Sequence, residues 1–270
     1  MSRLVSLLAL LPALALTGCP APGDADPTCD ASVDEDEDGL DACQEEELGT
    51  DDSELDSDGD GYFDADEVLA GTDPADDASL IYEGGWPFNP HKDDIEDPGF
   101  GDNAVEDGLV ARYVAVDQFG DEVDLFDFLG WDKPVIIDKS AEWCGPCHRM
   151  AEWLDGENPA SVEWLQEYNH VREAVANGDI YWITILTEDA NSQPPDAAAV
   201  ERWYDEHTTP NVPVLMDSDW TMRQHIVSNS VPSLSLIWDD GTWNTLHSQG
   251  LTIARAGYWL EEYAGYEAPE

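Results

Sequence analysis

No lysine or arginine occurs between Arg3 and Lys92, and from Asp24 to Asp77 the chain carries 24 aspartates and glutamates. Carboxylates at that density repel one another and leave few apolar side chains between them. The stretch is therefore either a solvated spacer or a fold completed by cations. Its internal pattern favours the second. DEDEDGLDACQEEELGTD from Asp34 and DSDGDGYFDADEVLAGTD from Asp56 align at an offset of 22 residues. Each has Asp at positions 1, 3 and 5, Gly at 6 and Glu at 12. These are Asp34, Asp36, Asp38, Gly39 and Glu45 in the first copy, and Asp56, Asp58, Asp60, Gly61 and Glu67 in the second. A hard cation such as Ca2+ takes roughly six to eight oxygens, so alternating carboxylates must wrap around it. The glycine permits the sharp turn, position 7 offers a carbonyl (Leu40, Tyr62), and the late glutamate can bind through both oxygens. Position 9 is Asp64 in the second copy but Ala42 in the first, which leaves the first set one side-chain ligand short. Structural Ca2+ is the expected cofactor of residues 34–79.

The flanks do not read as two long EF-hand helices. The shared endings LGTD and AGTD resemble the bacterial thrombospondin type 3 calcium repeats, over about residues 34 to 76. The whole chain has 61 acidic against 10 basic residues, a formal charge of −51. That balance excludes nucleic acid as a partner, because neutralising phosphates requires Lys and Arg. The 270 residues divide by composition into a leader at 1–18, a tether at 19–33, the acidic repeats at 34–79, a linker rich in Gly, Pro and acid at 80–108, and an apolar, aromatic-rich domain at 109–270. In the linker, Trp86 and Phe88 are expected to pack partly against the domain.

Residues 1–18 hold one basic residue, Arg3, followed by the apolar run LVSLLALLPALAL and small residues. The run is short for a membrane-spanning helix and reads as a signal segment. Leu16-Thr17-Gly18-Cys19 resembles the lipobox of bacterial lipoproteins, which implies cleavage before Cys19 and acylation of that residue. The mature chain is then anchored by lipid and faces an extracytoplasmic space of the cell envelope. The alternative is an ordinary secretory signal. Pro20 stands where an Asp would resemble an inner-membrane retention signal, so the outer membrane is preferred. With Cys19 acylated, four cysteines remain, and pairing Cys29 with Cys43 and Cys144 with Cys147 keeps partners local in an oxidising compartment. Closing about 15 residues between Cys29 and Cys43 stabilises a poorly cored segment by roughly 3 kcal/mol.

From Leu109 the periodicity changes. VARYVAVDQFGDEVDL alternates around a glycine turn, a hairpin signal. VIID (135–138) and IYWITIL (180–186) are buried strands, VPVLM is a short strand, and SLSLIW and TWNTLHS flank Asp239-Asp240-Gly241 as a hairpin. Helical spacing follows the dithiol through Met150, Trp153 and Leu154, and recurs at Val162–Val175, in AAAVERWYDEH, in DSDWTMRQHI and from Ile253 to Tyr263. The expected class is α/β, a central mixed sheet flanked by helices.

SAEWCGPCHRM (140–150) places two cysteines two residues apart with a histidine after the second. A redox dithiol, c-type haem attachment and half a zinc site all share that spacing. Zinc would need two further ligands, and the other cysteines lie in the acidic region. Haem would need an open pocket and a distal ligand, whereas this motif follows an apolar strand. Trp143-Cys144-Gly145-Pro146-Cys147 after such a strand, Asp138 six residues before Cys144, and Val231-Pro232 opening SLSLIW together resemble the thioredoxin-like proteins. DQFGDEVDLFDF, the middle insertion and PVLMDSDW resemble the extracytoplasmic TlpA/ResA type, over about residues 109 to 263.

The resemblance implies a thioredoxin-like fold and a thiol–disulfide oxidoreductase with neither haem nor zinc. Cys144 is then the attacking thiolate, Cys147 the resolving thiol and Asp138 its proton acceptor. Trp143 shields the dithiol, and cis-Pro232 presents the Val231 backbone to substrate. Gly-Pro between the cysteines resembles reducing thioredoxins, at about −270 mV against about −120 mV for a strong oxidant. A protein disulfide or thiol is the implied substrate and a membrane thiol relay the implied electron donor; cytochrome c maturation is one use. Two departures bear on potential: Lys139 and Ser140 stand where thioredoxins carry aromatics, and Glu152 where many have a helix-kinking proline. An inert structural disulfide, a peroxidase and a non-catalytic calcium-binding surface lipoprotein using the domain as a binding module are the rival readings. His91, His170, His207, His225 and His247 show no ligand spacing and are expected in surface or packing roles.

Overall fold

The computed structural model describes residues 29–228 and 230–264. The leader and the lipidation site at Cys19 lie outside the described residues. Among those described, no helix is long and apolar enough to cross a membrane.

Two short helices, α1 (Ala42–Leu48) and α2 (Asp64–Ala70), each follow one acidic loop. Leu40 is the only Leu, Ile, Val, Met or aromatic side chain buried between residues 29 and 79. Apolar burial therefore contributes little to this region. A Cys29–Cys43 disulfide ties its start to α1. The two copies also touch, because Asp38 of the first loop accepts the Ala65 amide in the first turn of α2 at 3.1 Å.

Residues 80–108 run across the following domain and pair with its polar groups. Asp127, fully buried, accepts the Tyr82 hydroxyl at 2.6 Å and the Asn89 amide at 2.9 Å, and forms an ion pair with Lys92 at 2.9 Å. The Trp86 indole N–H donates to Asp117 at 2.7 Å, and the Phe100 ring meets His225 edge-on with centroids 5.0 Å apart.

The domain opens with the hairpin β1 (Val114–Val116) and β2 (Glu122–Asp124). Its main sheet contains β3 (Val135–Ser140), β4 (Tyr181–Leu186), β5 (Val214–Met216), β6 (Ser233–Ile237) and β7 (Trp243–Thr245), in the order β5-β4-β3-β6-β7. β3 runs parallel to β4 and antiparallel to β6, so the sheet is mixed. Helices α3 (Gly145–Leu154), α4 (Asn169–Ala176), α5 (Ala197–Glu206), α6 (Thr221–His225) and α7 (Gln249–Trp259) pack around it. This is the α/β class with a central mixed sheet that the strand and helix pattern predicts, in the thioredoxin-like arrangement that the resemblance implies.

All six β3 residues are buried, as a central strand covered on both faces requires. The alternation of strand side chains then sorts them. Ile136 packs with Met150 and Trp153 of α3, while Val135 and Ile137 pack with Met222 and Ile226 around α6. Asp138 shares the α3 face with Ile136, and Lys139 shares the opposite face with Ile137. The segment read as one helix, Val162–Val175, is instead a 3-10 segment from Ala160 to Tyr168 followed by α4. Val162 leaves helical geometry at φ −128° and ψ 36°, and Leu165 is the buried anchor of the 3-10 segment.

Candidate functional site

Two sites emerge, one in each region. In the acidic loops the same hydrogen bonds recur. Asp36 and Asp58 each accept, through Oδ1, the amide two residues on at 3.1 Å, and Asp38 and Asp60 accept the amides of Leu40 and Tyr62 at 2.7 and 2.8 Å. In Asp36, Asp58 and Asp60 the other carboxylate oxygen is left buried and unpartnered, whereas that of Asp38 accepts the Ala65 amide. Gly39 and Gly61 make the turn at φ 107° and 104°, a region costly for residues with a Cβ. Asp34, Asp36 and Asp38 bring one oxygen each within 4.8 Å of one another, as do Asp56, Asp58 and Asp60. α1 and α2 then direct Glu45 and Glu67, 1% and 0% exposed, back toward the loops.

The oxygens Asp36 Oδ2, Asp58 Oδ2, Asp60 Oδ2, Glu67 Oε2 and both of Glu45 are buried without a hydrogen-bond partner. Orphaned carboxylate oxygens converging in this way are costly unless a cation completes them. Burial first, then neighbouring carboxylates, push Glu67 up to about 7, with Thr72 opposing. Glu45 is also pushed up to about 7, by burial and then by contact with Asp52. The donor set is all oxygen and fits a hard divalent cation.

Asp52 was not legible as part of the first loop, since it lies 18 residues after Asp34. It accepts the Glu35 amide at 3.2 Å and reaches Glu45, filling the side that Ala42 leaves bare. Asp64, at position 9 of the second loop, is fully buried and accepts both the amide and the hydroxyl of Ser57, at 2.8 and 2.6 Å.

The second site lies at the C-terminal end of β3. Cys144 caps the N-terminus of α3 and is disulfide-bonded to Cys147. Pro146 in the first turn sacrifices no helix hydrogen bond there. The Cys147 amide lies 3.2 Å from Cys144 Sγ, and unpaired N–H groups at a helix start favour a thiolate. Because β6 lies beside β3, it returns the cis Val231–Pro232 bond to the dithiol, and Cys144 Sγ lies 3.5 Å from the Val231 carbonyl. Cys144 is 1% exposed and Cys147 0%. Trp143 is half exposed, and its indole N–H donates to Glu188 at 2.7 Å.

Asp138, on the same sheet face as α3, is buried and pushed up to about 7 by that burial, against a 3.0 Å hydrogen bond from Ser140. Lys139 faces the other way and donates to the Ile226 carbonyl at 2.6 Å. Burial, with Arg223 adding to it, lowers its pKa to about 8. A cleft of about 560 Å³ opens beside the dithiol between Trp143 and Val231, with Lys139 and the Glu188–Arg223 ion pair (2.7 Å) along it. The departure from aromatics at Lys139 thus places a buried cation in the wall of the cleft.

Residues 56–76 match the Bacterial TSP3 repeat family. The first loop, 22 residues earlier, repeats the hydrogen bonds of positions 3 and 5 of this repeat. No curated protein matches the chain. Among solved structures, the chain is similar to the thioredoxin domain of a thiol-disulfide oxidoreductase from Bacteroides vulgatus, at 16% identity over 58% of this chain and 97% of that one (TM-score 0.42). It is also similar to an exposed lipoprotein thioredoxin of Streptococcus pneumoniae, at 21% over 54% and 96% (TM-score 0.39). A secreted disulfide oxidoreductase of Mycobacterium tuberculosis matches at 20% over 54% and 95% (TM-score 0.37). The activities in those names belong to those proteins. What this chain has is a mixed-sheet α/β domain of thioredoxin-like fold that carries a CxxC pair at the start of α3, preceded by a TSP3 repeat.

Proposed function

We propose that the protein is an extracytoplasmic thiol–disulfide oxidoreductase that reduces protein disulfides through Cys144 and Cys147. The observation that carries this reading is the dithiol at the start of α3 facing the cis Val231–Pro232 edge across 3.5 Å. In the reduced protein the Cys144 thiolate attacks a substrate disulfide. One substrate thiolate leaves and a mixed disulfide forms. Cys147 gives its proton to Asp138 and attacks Cys144 Sγ, which expels the second substrate thiolate and leaves the Cys144–Cys147 disulfide. Two electrons pass to substrate, and a membrane thiol relay returns them. Val231 pairs with the substrate backbone, Pro232 holds that edge, and Trp143 covers the dithiol.

In the repeats, Asp34, Asp36, Asp38 and Glu45, with the Leu40 carbonyl, would hold one Ca2+. Asp56, Asp58, Asp60, Asp64 and Glu67, with the Tyr62 carbonyl, would hold a second. The ions would neutralise the loops and fix their shape. Lipid on Cys19 would tether the whole to the cell envelope.

Reduction of insulin by dithiothreitol tests the enzyme reading. The protein should accelerate it, and Cys144→Ser should abolish the acceleration. The near-complete burial of Cys144 supports a second reading, a binding module with an inaccessible disulfide. No acceleration, together with a folded Cys144 that resists alkylation after reduction, would favour that module. Equilibration with glutathione gives the potential, and a value near that of strong oxidants would reverse the proposed direction.

A further inference from the structure

We infer that His148, Glu206 and His207 form a site for a borderline transition-metal ion such as Zn2+, set against the dithiol helix. His148 Nδ1 lies 2.7 Å from His207 Nε2 and 3.6 Å from Glu206 Oε2, and one ligand atom from each of the three residues falls within a 4.8 Å cluster. The residues come from two elements, His148 from the first turn of α3 and the other two from the end of α5.

The tautomers follow from the partners. His148 Nε2 lies 2.8 Å from the Glu142 carbonyl, which can only accept, so Nε2 carries the hydrogen and Nδ1 presents a bare lone pair to the cluster. A backbone carbonyl behind the ring is the support that metal-bound histidines usually have. For the contact as it stands, His207 Nε2 must donate its hydrogen to His148 Nδ1. With that hydrogen moved to His207 Nδ1, both facing nitrogens and the Glu206 carboxylate can take a metal ion. The His148 ring is braced by Trp203, with centroids 4.8 Å apart. His207 is 5% exposed, whereas the Glu206 side chain is 62% exposed, leaving an open side for water as a further ligand. Two imidazoles with one carboxylate select a borderline metal, whereas the all-oxygen loops of the repeats select a hard one.

The inference does not depend on the redox reading, and the oxidised protein tests it with both cysteines unavailable as ligands. Zn2+ is titrated by calorimetry into the full chain, without a polyhistidine tag and with calcium in large excess. Co2+ absorption reports nitrogen ligation independently. One Zn2+ per chain is expected. His148→Gln should weaken it by about 100-fold or more. Glu206→Gln, an exposed change at a helix end that leaves the fold intact, should weaken it measurably. Absence of stoichiometric binding would overturn the inference, as would binding unchanged in both variants. Binding lost only when Asp58 and Glu67 are replaced would assign the zinc to the repeats and overturn it equally.

Discussion

Glu45 and Glu67 in the repeats and Asp138 in the sheet are all carboxyls pushed to about 7, and burial is the leading cause for each. Their surroundings differ. Glu45 and Glu67 are each pushed further by several other carboxylates, whereas Asp138 has the Ser140 hydroxyl and no opposing or reinforcing charge. A cluster of buried carboxylates is resolved by a divalent cation, because one proton cannot satisfy the three orphaned oxygens of each loop. A single buried carboxylate is resolved by one proton. The same perturbation thus fits the proposed ion sites in one region and the proposed proton acceptor in the other.

Removing calcium should separate the regions most sharply. At a free concentration about 100 times its dissociation constant, each bound ion stabilises by about 2.7 kcal/mol, so two contribute roughly 5 kcal/mol. With Leu40 the only large apolar side chain buried, residues 29–79 have little apolar core to add to the Cys29–Cys43 link. Hydrogen exchange measured with and without chelator should show protection lost across α1 and α2 and retained in β3 and β4. Equal protection in both states would make the repeats a self-supporting spacer.

Asp138 supplies the opposite case. Burial pushes its carboxyl from the ordinary 3.8 up to about 7 in the fold, so between these values the folded protein retains a proton that the unfolded chain has already lost. This contribution to stability is full below the unfolded pKa and is lost as pH rises through about 7. Above that pH the folded state carries an ionised, buried carboxylate at a cost of up to about 4 kcal/mol. Asp138→Asn should therefore raise stability at pH 8 by a substantial part of that amount, and by little at pH 4, in urea unfolding of the oxidised protein. A variant equally stable to the parent at pH 8 would mean that Asp138 is solvated.

How much of this the chain reveals beforehand follows the range of each interaction. β4 is a nearly continuous apolar run and β3 opens with one at Val135–Ile137, so both read directly as strands, although β3 continues through the buried Lys139 and Ser140. The loop ligands at positions 1, 3, 5 and 12 are equally local. The break at Val162 falls in a stretch with no Gly or Pro between 160 and 168, so no helix-stop residue announces it. Nor could spacing reveal His207 beside His148, 59 positions apart and joined only when α5 packs near α3. Lys139 stood out in the sequence as a departure from the usual aromatic, yet its place in the cleft wall depends on strand parity and on the Ile226 carbonyl.

Asp52 belongs to this unread class and distinguishes the two repeats from each other. In the second loop the residue at the equivalent offset is Pro74, and Asp64 occupies position 9. In the first loop Ala42 occupies position 9, and Asp52 arrives from beyond α1 to lie against Glu45. Two ionised carboxylates in contact repel, so their closeness stabilises the fold only with a cation or a proton between them. Asp52→Asn keeps the size and the capacity to accept the Glu35 amide but removes the charge. It should weaken the first calcium site by roughly 10-fold, or about 1.4 kcal/mol, and leave the second unchanged in a two-site calorimetric titration. Equal weakening of both sites would point to coupling through Asp38 and Ala65, and no weakening would make Asp52 a brace for the Glu35 turn alone.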